Sequence, residues 1–187
     1  MKWSNIENYC PGEWLTEPGN EEIREIVTDT RKQREYGNSA LFIALAGANH
    51  DGHTFVGDAY AQGLRMFLVQ QDVESPGSDC SIYKVPDSLF ALQEIARIHR
   101  AAQRDLNTIA ITGSNGKTIV KEWLSSVLSI QSRVVRSPGS FNSQLGVPLS
   151  LMQIKPLHQI GIFEAGISMA GEMGRLAELI DPCLLYT

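Results

Sequence analysis

Thr108-Ile109-Ala110-Ile111-Thr112-Gly113-Ser114-Asn115-Gly116-Lys117-Thr118 decides how the second half of this 187-residue chain folds. Thr108 to Ile111 is short, apolar and rich in β-branched residues, so it reads as a buried strand. Beyond the loop, Val120, Trp123, Leu124, Val127 and Leu128 recur at helical spacing and predict a helix over 118–130 with one apolar face. A glycine-rich turn from strand to helix lets backbone N–H groups converge on phosphate oxygens. The helix N-terminus adds its partial positive charge. In the pattern G-x-x-x-x-G-K-[ST], the lysine neutralises β- and γ-phosphates and the hydroxyl ligates Mg²⁺. Gly113, Ser114, Asn115, Gly116, Lys117 and Thr118 are therefore the expected ATP-binding residues. One position departs from the pattern: Ile111 stands where a glycine is usual.

Working outward, Val134-Val135 and 159–163 read as further strands, and 171–180 as a helix ended by Asp181-Pro182. Cys183 to Thr187 reads as one more strand. Strands alternating with helices predict a parallel sheet. A sheet this small, with no closing helix, reads as the front of a larger domain. Glu164, at the end of the third strand, is the carboxylate placed to serve an Mg²⁺ held by phosphates.

Upstream, 39–45 and 65–69 read as strands, 54–62 as a helix stopped at Gly63, and 49–52 and 74–79 as a turn and a loop. A longer helix starts at the N-cap Asp87 and runs towards Asp105. Its inner positions are Leu92, Ile95, Ala96, His99 and Ala102, and its outer ones Arg97, Arg100 and Arg104. The expected fold is a small N-terminal α/β unit, 1–106, followed over 107–187 by part of a parallel-sheet ATPase domain.

A net charge of −5 argues against a nucleic-acid surface. Cys10, Cys80 and Cys183 form no Cys-x-x-Cys pair, so three reduced thiols are expected. The polar start and the lack of any roughly 20-residue apolar run point to a cytoplasmic protein. His50, Asp51 and His53 are not read as metal ligands, since Gly52 marks a turn and no further ligand clusters nearby.

The loop Thr-Gly-Ser-Asn-Gly-Lys-Thr resembles that of the Mur ligases, ATP-dependent amide ligases of peptidoglycan assembly. The segment Ser140-Phe141-Asn142-Ser143-Gln144-Leu145-Gly146-Val147-Pro148-Leu149 is similar to the Asn-Asn-x-x-Gly-x-Pro-Leu segment of the branch that adds D-alanyl-D-alanine. Here Ser143 replaces the second asparagine. Gly171-Glu172-Met173 also fits that branch, while the Thr-Thr-Pro motif of the branch adding the third amino acid is missing. Thr28-Asp29-Thr30-Arg31, 40–47 and Asp51-Gly52-His53 resemble the family's uridine-nucleotide domain.

The resemblance implies UDP-MurNAc-tripeptide and D-Ala-D-Ala as partners, and ATP and Mg²⁺ as cofactors. It implies Lys117 and Glu164 as catalytic, Thr118 and Glu164 as metal ligands, and Thr30, Arg31, Asp51, His53, Asn142 and Ser143 as substrate-binding. The two nearest alternatives are the branch that adds the third amino acid to UDP-MurNAc-dipeptide and a phosphate-loop ATPase without ligase activity. The expected state is a monomer, and a chain of this length is expected to bind without ligase turnover.

Overall fold

The computed structural model describes residues 1–31, 36–47, 50–167, 169 and 171–187. The chain divides into two units, Met1–Leu92 and Gln93–Thr187. The first holds β1 (Glu13–Trp14), β2 (Glu25–Val27), β3 (Ala40–Ile43), α1 (Val56–Ala61), β4 (Met66–Val69) and β5 (Ser81–Lys84). The helix α2 (Ser88–Ala101) crosses the division. The second unit continues with β6 (Asn107–Ile111), α3 (Lys117–Leu128), β7 (Val134–Arg136), α4 (Gly146–Leu151), β8 (Ile160–Glu164), α5 (Glu172–Ile180) and β9 (Leu184–Tyr186).

In the first unit the sheet order is β1-β5-β4-β3-β2, with only the β1–β5 pair antiparallel. Every residue of β3 and β4 is buried, which is why both read as unbroken apolar runs rather than alternating ones. Phe42 and Phe67 meet edge-on, ring centroids 6.1 Å apart, in a core with Val56, Ala59, Leu64 and Ile82. Across the unit, Trp3 is wholly buried, lies 5.2 Å from the Trp14 ring, and donates from Nε1 to Ser81 Oγ at 2.6 Å.

The helix expected over 54–62 is a 3₁₀ turn, Gly52–Phe55, leading into α1. It stops at Gly63, whose φ of 93° suits glycine. Of the turn expected over 49–52, Asn49 lies outside the described residues. The remainder is held by Gly47 N–H to His50 O and Gly52 N–H to Leu45 O, both 2.9 Å.

Asp87 caps α2 as its sequence predicts, its carboxylate accepting from the N–H groups of Leu89 (2.8 Å) and Phe90 (2.9 Å). Two expectations for this helix fail. Ala102, expected on the inner side, is exposed just past the helix end. Arg100 is turned inward, not outward, and is only 8% exposed. It donates to Ile180 O, Asp181 O and Thr108 Oγ1, which satisfies the end of α5 where Asp181 takes a φ of 45°. Ala96 lies in the second unit's core and His99 bonds to Ile154 O, so the C-terminal half of α2 is built into that unit.

The second sheet runs β7-β8-β6-β9, entirely parallel. Its core gathers Ala110, Val135, Val147, Leu151, Phe163, Leu176 and Ile180. The α3 face differs from the one its apolar spacing predicts. Trp123 (71%) and Val127 (64%) are exposed, together with Ile119 and Ile130. The residues turned inward are Lys121, Leu124, Ser125 and Leu128, of which Lys121 and Ser125 are buried. One apolar stripe, Ile119, Trp123, Val127 and Ile130, faces outward, and the face that meets the sheet is mixed.

Candidate functional site

The loop folds as its glycines demand. Gly113 has φ 126° and Gly116 φ 81°, both in the region that disfavours side chains. Ile111 needs no such freedom. It is the last residue of β6, wholly buried, and pairs in register with Glu164 on one side and Tyr186 on the other. The chain turns only after Thr112, so the first glycine of the usual pattern is dispensable here.

Gly116 caps α3, and Lys117 and Thr118 open it. The Lys117 ammonium donates to Gly113 O at 2.6 Å, folding over its own loop. Thr118 Oγ1 donates to Glu164 Oε2 at 3.2 Å, and Asn142 Nδ2 approaches the same oxygen at 3.4 Å. Glu164 is wholly buried at the C-terminal end of β8, where parallel sheets place their ligands. Its N–H donates to Ser137 Oγ at 3.2 Å. Lys117, Asn142, Ser143 and Glu172 line one cavity of about 650 Å³ together with Gly113 and Ser114.

Sequence reasoning passed over two residues of this cluster. Lys121 Nζ lies 2.9 Å from Glu164 Oε1, both side chains having no exposure, and also reaches Glu122 Oε1 at 3.3 Å. It donates a hydrogen bond to Gly139 O. The Lys121 contact with Oε1 is an ion pair whose angle is not that of a hydrogen bond, and Oε1 accepts no other. Ser137, also without exposure, is the second. The available signal was that Lys121 sits one helical turn after Lys117, hence on the same face.

Ser143, which stands where the branch has its second asparagine, makes a local bond. Its hydroxyl accepts from Gly146 N–H at 3.1 Å at the start of α4, the kind of cap that serine provides well. Glu172 likewise accepts from Met169 N–H at 2.9 Å as α5 begins.

Thr30, Arg31, Asp51 and His53 all lie in the first unit. Thr30 is 7% exposed and its carbonyl accepts from Gln62 Nε2 at 3.1 Å. Arg31 is exposed and forks onto Asp29, with Nη2 to Oδ2 at 2.6 Å. His53 is buried with both ring nitrogens engaged: Nε2 accepts from Gln70 N–H at 3.0 Å, and Nδ1 faces Asp51 Oδ1 at 2.5 Å. An accepting Nε2 places the proton on Nδ1, so both ring nitrogens of His53 brace the fold here. Asp51 is open, with a side-chain exposure of 42%.

The His53 backbone N–H, and then its ring, hold the Asp51 carboxyl below the usual range. A depressed carboxylate contributes stability above its unfolded pKa, roughly 4, and loses it as pH falls through the lower folded value. Asp51→Asn is therefore expected to flatten the acid limb of the stability curve below about pH 4, read by urea denaturation at stepped pH. An acid limb identical to that of the unaltered chain would refute the linkage.

The donor set suits Mg²⁺: a carboxylate and a hydroxyl, both hard oxygens, converge beside a loop shaped for phosphates. The oxygen available to a cation is Oε2, which meets Thr118 and Asn142 beside the loop, since Oε1 already faces the Lys121 ammonium. Among the described residues no cluster of three His, Cys, Asp or Glu forms a metal cage, so substrate oxygens would complete the shell. No helix among the described residues is long and apolar enough to cross a membrane.

A parallel sheet whose first strand enters a glycine loop and helix, with an acid on the adjacent strand, defines the phosphate-loop class of α/β proteins. Residues 111–184 match the Mur ligase middle domain, and the chain belongs to the Mur ligase family. It is 37% identical over 162 residues to the UDP-N-acetylmuramoyl-tripeptide–D-alanyl-D-alanine ligase of Bacillus subtilis (strain 168), covering 86% of this chain and 34% of that protein. It is 41% identical over 150 residues to the Treponema pallidum (strain Nichols) ligase of the same name, covering 76% and 33%. A crystal structure of MurF from Acinetobacter baumannii superposes with a TM-score of 0.89 at 28% identity, over 99% of this chain and 40% of that one. The Thermotoga maritima MurF ligase in complex with ADP gives 0.74 at 27% identity, over 86% and 36%. The chain spans about a third of the length of the curated relatives it matches.

Proposed function

We propose that this chain supplies the ATP site, and part of the acceptor-substrate site, of a ligase that joins D-alanyl-D-alanine to UDP-MurNAc-tripeptide. The convergence of Thr118 and Glu164 beside the Gly113–Thr118 loop carries this reading. The loop N–H groups and the N-terminus of α3 would bind the phosphates. Lys117, now on Gly113 O within the same loop, would turn to a bound phosphate oxygen and neutralise charge there. Mg²⁺, when bound by Thr118 and Glu164, would offset the charge of the β- and γ-phosphates.

In the proposed reaction the γ-phosphoryl group passes to the terminal carboxylate of the tripeptide. The dipeptide amine then attacks the acyl phosphate, forming the amide and releasing phosphate. Asn142, which approaches Glu164 and lines the cavity, and Ser143 beside it would face the acceptor. Met1–Leu92 would hold the UDP-MurNAc part through Thr30, Arg31 and Asp51, since a guanidinium suits phosphate oxygens. His53 is assigned to supporting Asp51. The protein would act as a cytoplasmic monomer, where UDP-sugars and ATP meet.

Lys117→Ala tests the phosphate reading. ATP affinity is expected to fall roughly 10- to 100-fold, the range of a charge-assisted hydrogen bond. Thermal stability is expected to hold, because Nζ bonds only to its own loop. Unchanged ATP affinity by calorimetry would remove the basis for the proposal. Calorimetry with UDP-MurNAc-tripeptide against UDP-MurNAc-dipeptide then separates the two acceptors.

A further inference from the structure

The two oxygens of Glu164 live in different surroundings. Oε2 faces the phosphate side, where Thr118 Oγ1 and Asn142 Nδ2 lie at 3.2 and 3.4 Å. Oε1 faces the interior, 2.9 Å from the ammonium of Lys121. That ammonium is pinned by Gly139 O and by Glu122, and neither Lys121 nor Glu164 has any exposure.

We propose that Lys121 is a specificity-determining positioning residue that occupies Glu164 Oε1 and so restricts the carboxylate to one ligating oxygen, selecting Mg²⁺ over Ca²⁺. The chemistry is that of ion size. Mg²⁺ demands near-octahedral geometry at short distances and takes single carboxylate oxygens, whereas Ca²⁺ accepts six to eight ligands and often both oxygens of one carboxylate. A fixed positive charge on Oε1 blocks the two-oxygen mode without touching the one-oxygen mode. A buried lysine also resists being displaced, because moving it would strand an uncompensated charge. The inference rests on the proposed role of Thr118 and Glu164 as metal ligands.

The test measures ATP affinity by calorimetry in saturating Mg²⁺, in saturating Ca²⁺ and in EDTA, for the unaltered chain, Lys121→Met, Lys121→Gln and Lys121→Arg. The unaltered chain is expected to bind ATP more tightly with Mg²⁺ than with Ca²⁺. Lys121→Met is expected to shift that preference towards Ca²⁺ by about tenfold, since both carboxylate oxygens become available. Lys121→Gln removes the charge while retaining a donor for the Gly139 carbonyl. It is expected to shift the preference the same way, and it carries the test if Lys121→Met does not fold. Lys121→Arg keeps the charge on Oε1 and is expected to stay within about twofold of the original preference.

The ratio is the informative readout, because a lysine needed only for packing would weaken both metal complexes equally. An unchanged Mg²⁺/Ca²⁺ ratio in the folded neutral variant overturns the inference and leaves the phosphate-site reading standing. ATP binding by the unaltered chain that ignores both metals overturns that reading and this inference with it.

Discussion

Glu164→Ala is expected to cost about 3 kcal/mol of folding stability and to abolish the metal dependence of ATP binding, the low end for breaking a buried ion pair. The variant leaves the Lys121 ammonium with no exposure and without its partner at 2.9 Å. The low end applies because Gly139 O and the partly exposed Glu122 carboxylate still receive it. Thr118 Oγ1 loses its acceptor as well. Urea denaturation followed by far-ultraviolet circular dichroism gives the first quantity, and calorimetry with and without Mg²⁺ the second. A loss below about 1 kcal/mol, the size of an exposed pair, would mean that the pair is not buried as described.

The second large effect belongs to the first unit. Trp3→Ala is expected to cost about 3–5 kcal/mol, the range for truncating a buried aromatic. Trp3 has no exposure, packs edge-on against Trp14 at 5.2 Å and Tyr83 at 6.2 Å, and gives Ser81 Oγ its hydrogen bond. Edge-on aromatic pairs add to burial alone. Small domains have only about 5–15 kcal/mol in hand, so rapid proteolysis within Met1–Leu92 at 37 °C is the expected outcome. A urea midpoint equal to that of the unaltered chain would show that Trp3 is not central to this core.

The residues that made the site legible were those whose backbone role is inseparable from their type. Gly113 and Gly116 occupy positive φ, and β3, β4, β6 and β8 are apolar because both their faces are covered. Short edge strands carry no such mark. Glu13–Trp14 and Glu25–Val27 each expose a glutamate and are too brief to show a period, so nothing local distinguishes them from loop. The short helix α4 was hidden for a related reason, because Gly146 and Pro148 in Gly146–Leu151 read as loop residues although proline is tolerated in a first turn.

Lys121 was passed over and Arg100 misplaced by one reasonable rule. Long cationic side chains on helices are nearly always solvated, and acceptors from far along the chain, at the end of β8 for Lys121 and at the end of α5 for Arg100, turn these two inward. Glu164 lies 43 positions beyond Lys121, and Ile180 lies 80 beyond Arg100. The choice of face on α3 puts Lys121 against Glu164 and leaves the more apolar stripe outside.

That choice leaves the three tryptophans in unlike surroundings. Trp3 is sealed in, Trp14 is half covered, and Trp123 stands 71% exposed on α3. At that exposure Trp123 is expected to emit much as it would in an unfolded chain, so loss of structure in Gln93–Thr187 should change tryptophan emission little. The spectral shift on denaturation is therefore an optical gauge of Met1–Leu92 alone, and its lag or lead against circular dichroism measures how far the two units unfold in step.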